Sequence, residues 1–389
     1  MLDKETLRKL REEIAPHPGP VLSLYLNTNP ASEDVLQYSA AGKSKPYVIR
    51  AKDTLKELGV PGEISRRVLE RLEHDVISGR TRAVFADEDN LTVVDLNVDL
   101  PVVDLSSGKL EAHWGEPYVL PLLLALDEFE RYAVILLDEE RWRLFEVYLG
   151  EVREIADAFR AVDSDNWRKL AEAKPGTPFG VAARGGSGQD RYDRRMLAWT
   201  HRFYRRLAAE TGGWLERLGA ERLILMGQSE EAKYFENLLP KAVRQRVVAR
   251  LPLPPGGSKV EPSAVLRAVE VKIAEIERAQ EAKLLDRIRE EGTWGLAQVL
   301  RALQEGRVHL LVMPWRPAGS VWRCRENGYY DVAKERLEQL CPGGVDEAPL
   351  AQALVDLAEL FAVEIEFVRG ENAELVEREF AGLAALKRW

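Results

Sequence analysis

The sequence predicts an α/β protein of three domains, residues 1–125, 126–257 and 258–389. Three observations predict it. The length of 389 residues exceeds what one hydrophobic core comfortably serves. Apolar runs of strand length alternate with amphipathic stretches of helical period along the chain. Two stretches rich in proline and glycine interrupt that alternation, one around Gly115, Pro117 and Pro121 and one in VVARLPLPPGGS at residues 247–258.

In the first segment a short helix is expected at the start, followed by VLSLYL, an apolar run bounded by proline and asparagine that reads as a strand. Tyr47 to Leu58 and Ile64 to Val76 have the spacing of amphipathic helices. RAVFADEDNLTVVDLNVDL reads as a hairpin turning at Asp87 to Asn90. This predicts a mixed α/β domain.

The second segment opens with YAVILLDEERWRLFEVYLGEVREI, three strand-like runs joined by charged or glycine turns, hence a β-meander. A long helix is expected after residue 188. Its apolar face would carry Met196, Trp199, Phe203, Leu207, Trp214 and Leu218, read as core rather than as a base-stacking platform. RLILMG reads as a buried strand, and SEEAKYFENLLP as a helix begun by Ser229 and stopped at Pro240.

The third segment begins with a helix from Ser263 to Glu291, broken by GTWG. LAQVLRALQEG, VHLLVMP, an insert with tryptophan and glycine, APLAQALVDLAELFA, VEIEFV, a short helix and LAALKRW then alternate helix with strand. That order predicts an α/β/α domain.

Composition sets the class. Hydrophobic residues make up 46% and charged residues 31%, the balance of an ordinary folded protein. The N-terminal MLDKETLRKLREEIAP carries charge throughout and is not expected to act as a secretory signal, and no run approaches the roughly 18 apolar residues of a membrane span. A cytoplasmic protein without membrane contact is expected. Two cysteines, Cys324 and Cys341, with His309 the one nearby histidine, are too few for a structural zinc site, and free thiols are expected. The abundance of Glu, Arg and Leu with only four methionines suits a thermophile.

Charge is distributed unevenly. The chain has a formal net charge of −9, yet RGGSGQDRYDRRMLAWTHRFYRR at residues 184–206 holds seven arginines against two aspartates. Such a patch suits a phosphate-rich partner. Gly185, Gly186 and Gly188 permit backbone conformations that let a loop approach another molecule closely, with Ser187 between them and Gln189 as the amide side chain that follows. Arg184, Arg191, Arg194, Arg195 and Arg202 are the candidate RNA-binding residues. A flexible surface turn ahead of a solvated helix is the plainer alternative.

This window, together with PVLSLYLNT at Pro20 to Thr28, LPLLLALDEFERYAVILLDEERWRLFEVYLGEV at Leu120 to Val152 and the closing GLAALKRW, resembles the archaeo-eukaryotic class-one release factors, Pelota included, and their bacterial relatives. The resemblance implies a ribonuclease-H-like middle domain and a C-terminal domain similar to kink-turn-binding ribosomal proteins. It also implies that the Gly185 to Gln189 loop enters the peptidyl-transferase centre, where the family's glutamine helps water attack peptidyl-tRNA. Here Ser187 and Gly188 separate the glycine pair from Gln189, two positions later than in the family motif. No Asn-Ile-Lys-Ser stop-codon loop occurs in residues 1–125. The implied role is therefore independent of stop codons: ribosome rescue with Gln189 conditionally catalytic, or non-enzymatic ribosome hibernation. The implied partners are the ribosome, through ribosomal RNA and P-site tRNA, and a delivering translational GTPase, with no cofactor.

The remaining motifs read as structural. GKS at Gly42 to Ser44 lacks the first glycine of a P-loop, that position being Gln37. The histidines at 17, 74, 113, 201 and 309 have no metal spacing, so no metal site is expected, although His201 in the basic helix is a candidate phosphate contact. Asp138, Glu139 and Glu140 form a solvated turn. Trp315, Trp322, Tyr329 and Tyr330 with Arg316, Arg323 and Arg325 suit RNA stacking, a protein interface or an insert packed on the third segment.

Overall fold

The computed structural model describes residues 19–29, 46–76, 79–104, 109–137, 142–155, 188–255 and 260–388; over residues 188–200 it describes the backbone path alone. The protein is a mixed α/β protein with four sheets among these residues. It divides into two compact units, residues 1–129 with 277–389, and residues 130–276.

The first unit holds three of the sheets. Its N-terminal sheet has the order β3-β2-β1-β5-β4, from β1 (Val21–Asn27), β2 (Thr81–Ala86), β3 (Leu91–Leu96), β4 (Val103–Asp104) and β5 (Lys109–Gly115). Alternation explains how its central strand is covered. Leu22, Leu24 and Leu26 share one face of β1 and pack on Ala51 and Leu55 of α1 (Pro46–Glu57) and on Ile64, Val68 and Leu72 of α2 (Gly62–His74). Ser23 and Tyr25 share the other, where the Tyr25 ring meets Phe85 edge-on and its hydroxyl donates to the Tyr118 carbonyl at 2.6 Å. The hairpin turns where expected: Ala86 pairs with Leu91, and the Asp87 carboxylate accepts from the amides of Asp89 and Asn90 at 2.8 and 2.6 Å.

The C-terminal part of this unit is layered. Its sheet runs β11-β17-β12-β16, with β11 (Thr293–Trp294), β12 (Val308–Pro314), β16 (Glu364–Val368) and β17 (Ala384–Lys387). The GTWG stretch, expected only to break a helix, supplies β11. Gly292 ahead of it is required there, because a Cβ would stand 2.7 Å from the carbonyl oxygens of Ile288 and Ala385. Val312 and Val368 pack on Leu285 and Ile288 of α7 (Pro262–Glu291), on Val376 of α11 (Gly370–Glu379) and on Phe380 just after it. By alternation Leu311 and Met313 point the opposite way, and both are fully buried, as are Leu303 of α8 (Leu296–Gln304) and Leu354 of α10 (Leu350–Leu360). α3 (Leu120–Glu128), which the sequence reading did not assign, joins this part through the Asp127 carboxylate, which accepts from the Phe367 amide at 2.8 Å.

The third sheet is the insert, with the order β14-β13-β15: β13 (Ser320–Cys324), β14 (Tyr330–Asp331) and β15 (Val345–Pro349), with α9 (Lys334–Leu340) between the last two. Here the structure corrects the expected free thiols. Cys324 and Cys341 form a disulfide, their Cα atoms 5.8 Å apart, because the helix returns the chain to the end of β13. The sequence separation of 17 does not reveal that return.

The second unit contains one sheet of order β10-β9-β6-β7-β8: β6 (Tyr132–Leu137), β7 (Trp142–Tyr148), β8 (Glu151–Glu154), β9 (Arg222–Met226) and β10 (Val247–Leu251). The expected meander is antiparallel, while β6, β9 and β10 are parallel. β6 is apolar at every position because both its faces are covered. Ala133, Ile135 and Leu137 pack among residues of α4 (Gly188–Leu218), α5 (Ser229–Leu238) and α6 (Lys241–Arg244), and Tyr132, Val134 and Leu136 pack on Val265 and Val269 of α7. α5 begins at Ser229, as expected. Gln228 occupies the N-cap without a side-chain bond, so Ser229 is the first helical residue and does not cap.

Candidate nucleic-acid interface

α4 organises the site. The buried line through its described part is Tyr204, Leu207, Ala208, Leu215 and Leu218, at helical spacing. Tyr204 is missing from the face expected above, on which Phe203 and Trp214 turn out only partly buried. Its spacing to Leu207 and Ala208 is the signal that marks it. Trp142 of β7 fixes the helix against the sheet, with ring centroids 4.4 Å from Tyr204, 5.3 Å from Phe203 and 5.2 Å from Phe235. From Phe203 onward the aromatic side of α4 thus packs on the core, while the side chains of Met196 and Trp199 lie outside the described residues.

The exposed side carries the charge. Arg202, Arg205 and Arg206 are exposed, and Arg206 pairs with Glu210 one turn on at 3.2 Å. Positions 191, 195, 202 and 206 recur at intervals of four, seven and four and so share one side of the helix. Gly188 and Gln189 are the first two residues of α4. Arg184, Gly185, Gly186 and Ser187 lie outside the described residues, as do Asp138, Glu139 and Glu140. Arg191, Arg194 and Arg195 stand on the first two turns of α4, their side chains undescribed. The His201 ring packs against Tyr234 of α5, centroids 5.5 Å apart. Towards its far end α4 also stacks Arg217 over the Trp214 ring at 3.7 Å.

A row of guanidinium groups on one side of a rigid helix can contact successive phosphates. Among the described residues no group of His, Cys, Asp and Glu could hold a metal ion. The other basic and aromatic cluster is paired within the chain. Arg316 bonds the Glu111 carboxylate and the Pro101 carbonyl, Arg325 forks onto Asp346 with 2.9 Å bonds, and Arg323 stands near Glu116 at 3.8 Å. The Trp315 ring packs on Phe367, and Lys334 covers Trp322. These residues form a packed insert whose arginines already have carboxylate partners.

The fold and this helix together define a mixed α/β protein with a basic helix seated on a five-stranded sheet. Residues 117–274, which include the helix and its sheet, match the model of bacterial archaeo-eukaryotic release factor family 10, and the expected release-factor-like resemblance holds there. No curated protein matches the chain. Similar solved structures include the archaeal translation termination factor aRF1, 15% identical over 100% of this chain and 99% of that chain, with a TM-score of 0.25. Ribosome-bound archaeal Pelota with ABCE1 is 12% identical over 99% and 94%, TM-score 0.39. Dom34 of S. cerevisiae, a translation termination-like factor in RNA quality control that interacts with Hbs1, is 10% identical over 79% and 79%, TM-score 0.37.

Proposed function

We propose that this chain is a cytoplasmic, ribosome-associated translation factor that occupies the A site and directs residues 185–189 toward the peptidyl-transferase centre. The observation that carries the reading is the family match over residues 117–274, inside which the arginine-rich window lies. The sheet order β8-β7-β6-β9-β10, an antiparallel meander followed by two parallel strands, supports assigning the middle of the chain to a ribonuclease-H-like domain, between an N-terminal domain ending near residue 125 and a C-terminal, kink-turn-binding-protein-like domain from residue 258. Arg184, Arg191, Arg194, Arg195 and Arg202 hold ribosomal RNA phosphates, and a translational GTPase delivers the protein.

Two readings of the loop follow. In rescue, Gln189 orients water for hydrolysis of P-site peptidyl-tRNA, with loop amides stabilising the developing oxyanion. In hibernation, the protein occupies idle ribosomes without chemistry. The position of Gln189 on the first turn of α4, two residues beyond its place in the family motif, favours occupancy. Single-turnover release on stalled ribosome complexes separates them. For rescue, Gln189→Ala binds normally and releases peptide about 100-fold more slowly; for occupancy, the wild type releases none above buffer. Absence of ribosome binding by the wild type overturns both.

A further inference from the structure

Residues 320–349 form a satellite of the first unit with a core of their own. One apolar cluster in it has Cys324, Leu337 and Cys341 buried, with Trp322, Tyr329 and Val345 packed around them, while Val321 and Tyr330 are buried outside that cluster. Two of the cluster's three buried members are the disulfide. None belongs to the apolar cluster that joins α7, β12, β16, α11 and β17. Polar ties add to the satellite: Arg325, just after β13, to Asp346 of β15, Arg336 to Asp331, and the Gln304 amide, which accepts from the Tyr330 amide at 2.7 Å and donates to its carbonyl at 3.0 Å. With Leu337 the one buried side chain of the satellite's cluster besides the two cysteines, the cross-link supplies much of its cohesion. We infer that Cys324–Cys341 is a thiol–disulfide exchange site for a dithiol reductant, whose reduction opens residues 320–349 and leaves the sheet of β11, β17, β12 and β16 intact.

The chemistry balances. One thiolate of the dithiol attacks a cysteine sulfur, breaking the protein S–S bond and forming a mixed disulfide. The second thiol of the reductant then displaces the remaining cysteine. The reductant leaves as a cyclic disulfide, and the protein gains two electrons and two protons as two thiols. Cys324 and Cys341 are only 1% and 2% exposed, so attack follows opening of the satellite. Once reduced, the segment regains the freedom that the cross-link denied it and closes less favourably. Opening adds Leu337 and Trp322 to the apolar surface already presented by Val332 and Leu340.

Hydrogen exchange on the full chain tests this, comparing air-oxidised protein, protein reduced with dithiothreitol and the Cys341→Ser variant. Backbone amides of β13 and β15 are expected to exchange about 100-fold faster after reduction, the effect of freeing a loop of this length. Cys341→Ser should show the same acceleration without reductant. Amides of β12, β16 and β17 should keep their protection in all three samples. Unchanged protection of β13 and β15 after reduction overturns the proposal, as does an equal loss across β12, β16 and β17. Alkylation of both cysteines in the air-oxidised protein overturns it too.

Discussion

Arg82 and Asp95 face each other across β2 and β3, joined by two parallel hydrogen bonds of 2.7 Å, Nε to Oδ1 and Nη2 to Oδ2. The remaining Nη1 donates to Asp75 at 3.1 Å, at the C-terminal end of α2. The Arg82 side chain is only 3% exposed, so its charge depends on these partners. Asp95→Ala is expected to cost about 3 kcal/mol, because removing one member leaves a buried guanidinium half paired. Urea unfolding measures this, and a change under about 1 kcal/mol would show that water reaches the site.

Trp142 is the second anchor. It joins the Tyr204 and Phe203 rings of α4 to the Phe235 ring of α5 and is 5% exposed. Trp142→Ala should cost about 3 to 5 kcal/mol and loosen α4 from its sheet. Loss of the near-ultraviolet circular dichroism of the unit together with lower ribosome affinity would link the packing to the basic face. Unaltered affinity in a protein that has lost this dichroism would uncouple them.

Glu281 of α7 predicts a pH dependence. Burial pushes its carboxyl up to about 7 from 4.5, against the opposing pull of the Asn372 amide at 2.8 Å and of Arg278. Below about 4.5 the group is protonated whether the chain is folded or unfolded. Between that value and about 7 the folded chain keeps a proton that the unfolded chain has released, so stability falls as pH rises. The full loss is on the order of 3 kcal/mol above that window. Glu281→Gln should flatten the difference between urea midpoints at pH 5 and pH 8. An equal difference in both proteins would assign it to other groups.

The arginine side of α4 predicts salt dependence despite the net charge of −9. Replacing Arg191, Arg194 and Arg195 with alanine should reduce the slope of log affinity for ribosomes against log salt by about two to three units. An unchanged slope would place the phosphate contacts elsewhere.

Elements were legible where burial alone decides them. β1 and β6 are continuous apolar runs, and the hairpin between β2 and β3 is marked by Asp87 and Asn90, whose side chains favour turns. α3 was hidden because Pro121 reads as a break, whereas at the first turn of a helix proline is an initiator and its missing amide costs nothing. The disulfide was hidden because a cysteine pairing depends on the path between its ends. In the candidate site, the concentration of arginines and the helix that carries them were legible. The line through Tyr204 was obscured because several interleaved aromatic residues fit more than one stripe, and only contact with Trp142 selects among them.

The first unit is discontinuous in the chain, and this orders its birth. As the nascent polypeptide emerges, residues 21–115 can close their own sheet over α1 and α2 at once. Asp127, Glu128 and Glu111 must wait, because their partners, the Phe367 amide and the side chains of Arg278 and Arg316, belong to the segment made last. At ordinary elongation rates that wait is on the order of ten seconds. During it the whole second unit is synthesised and free to fold, while three carboxyl groups of the first await partners that the ribosome has yet to make.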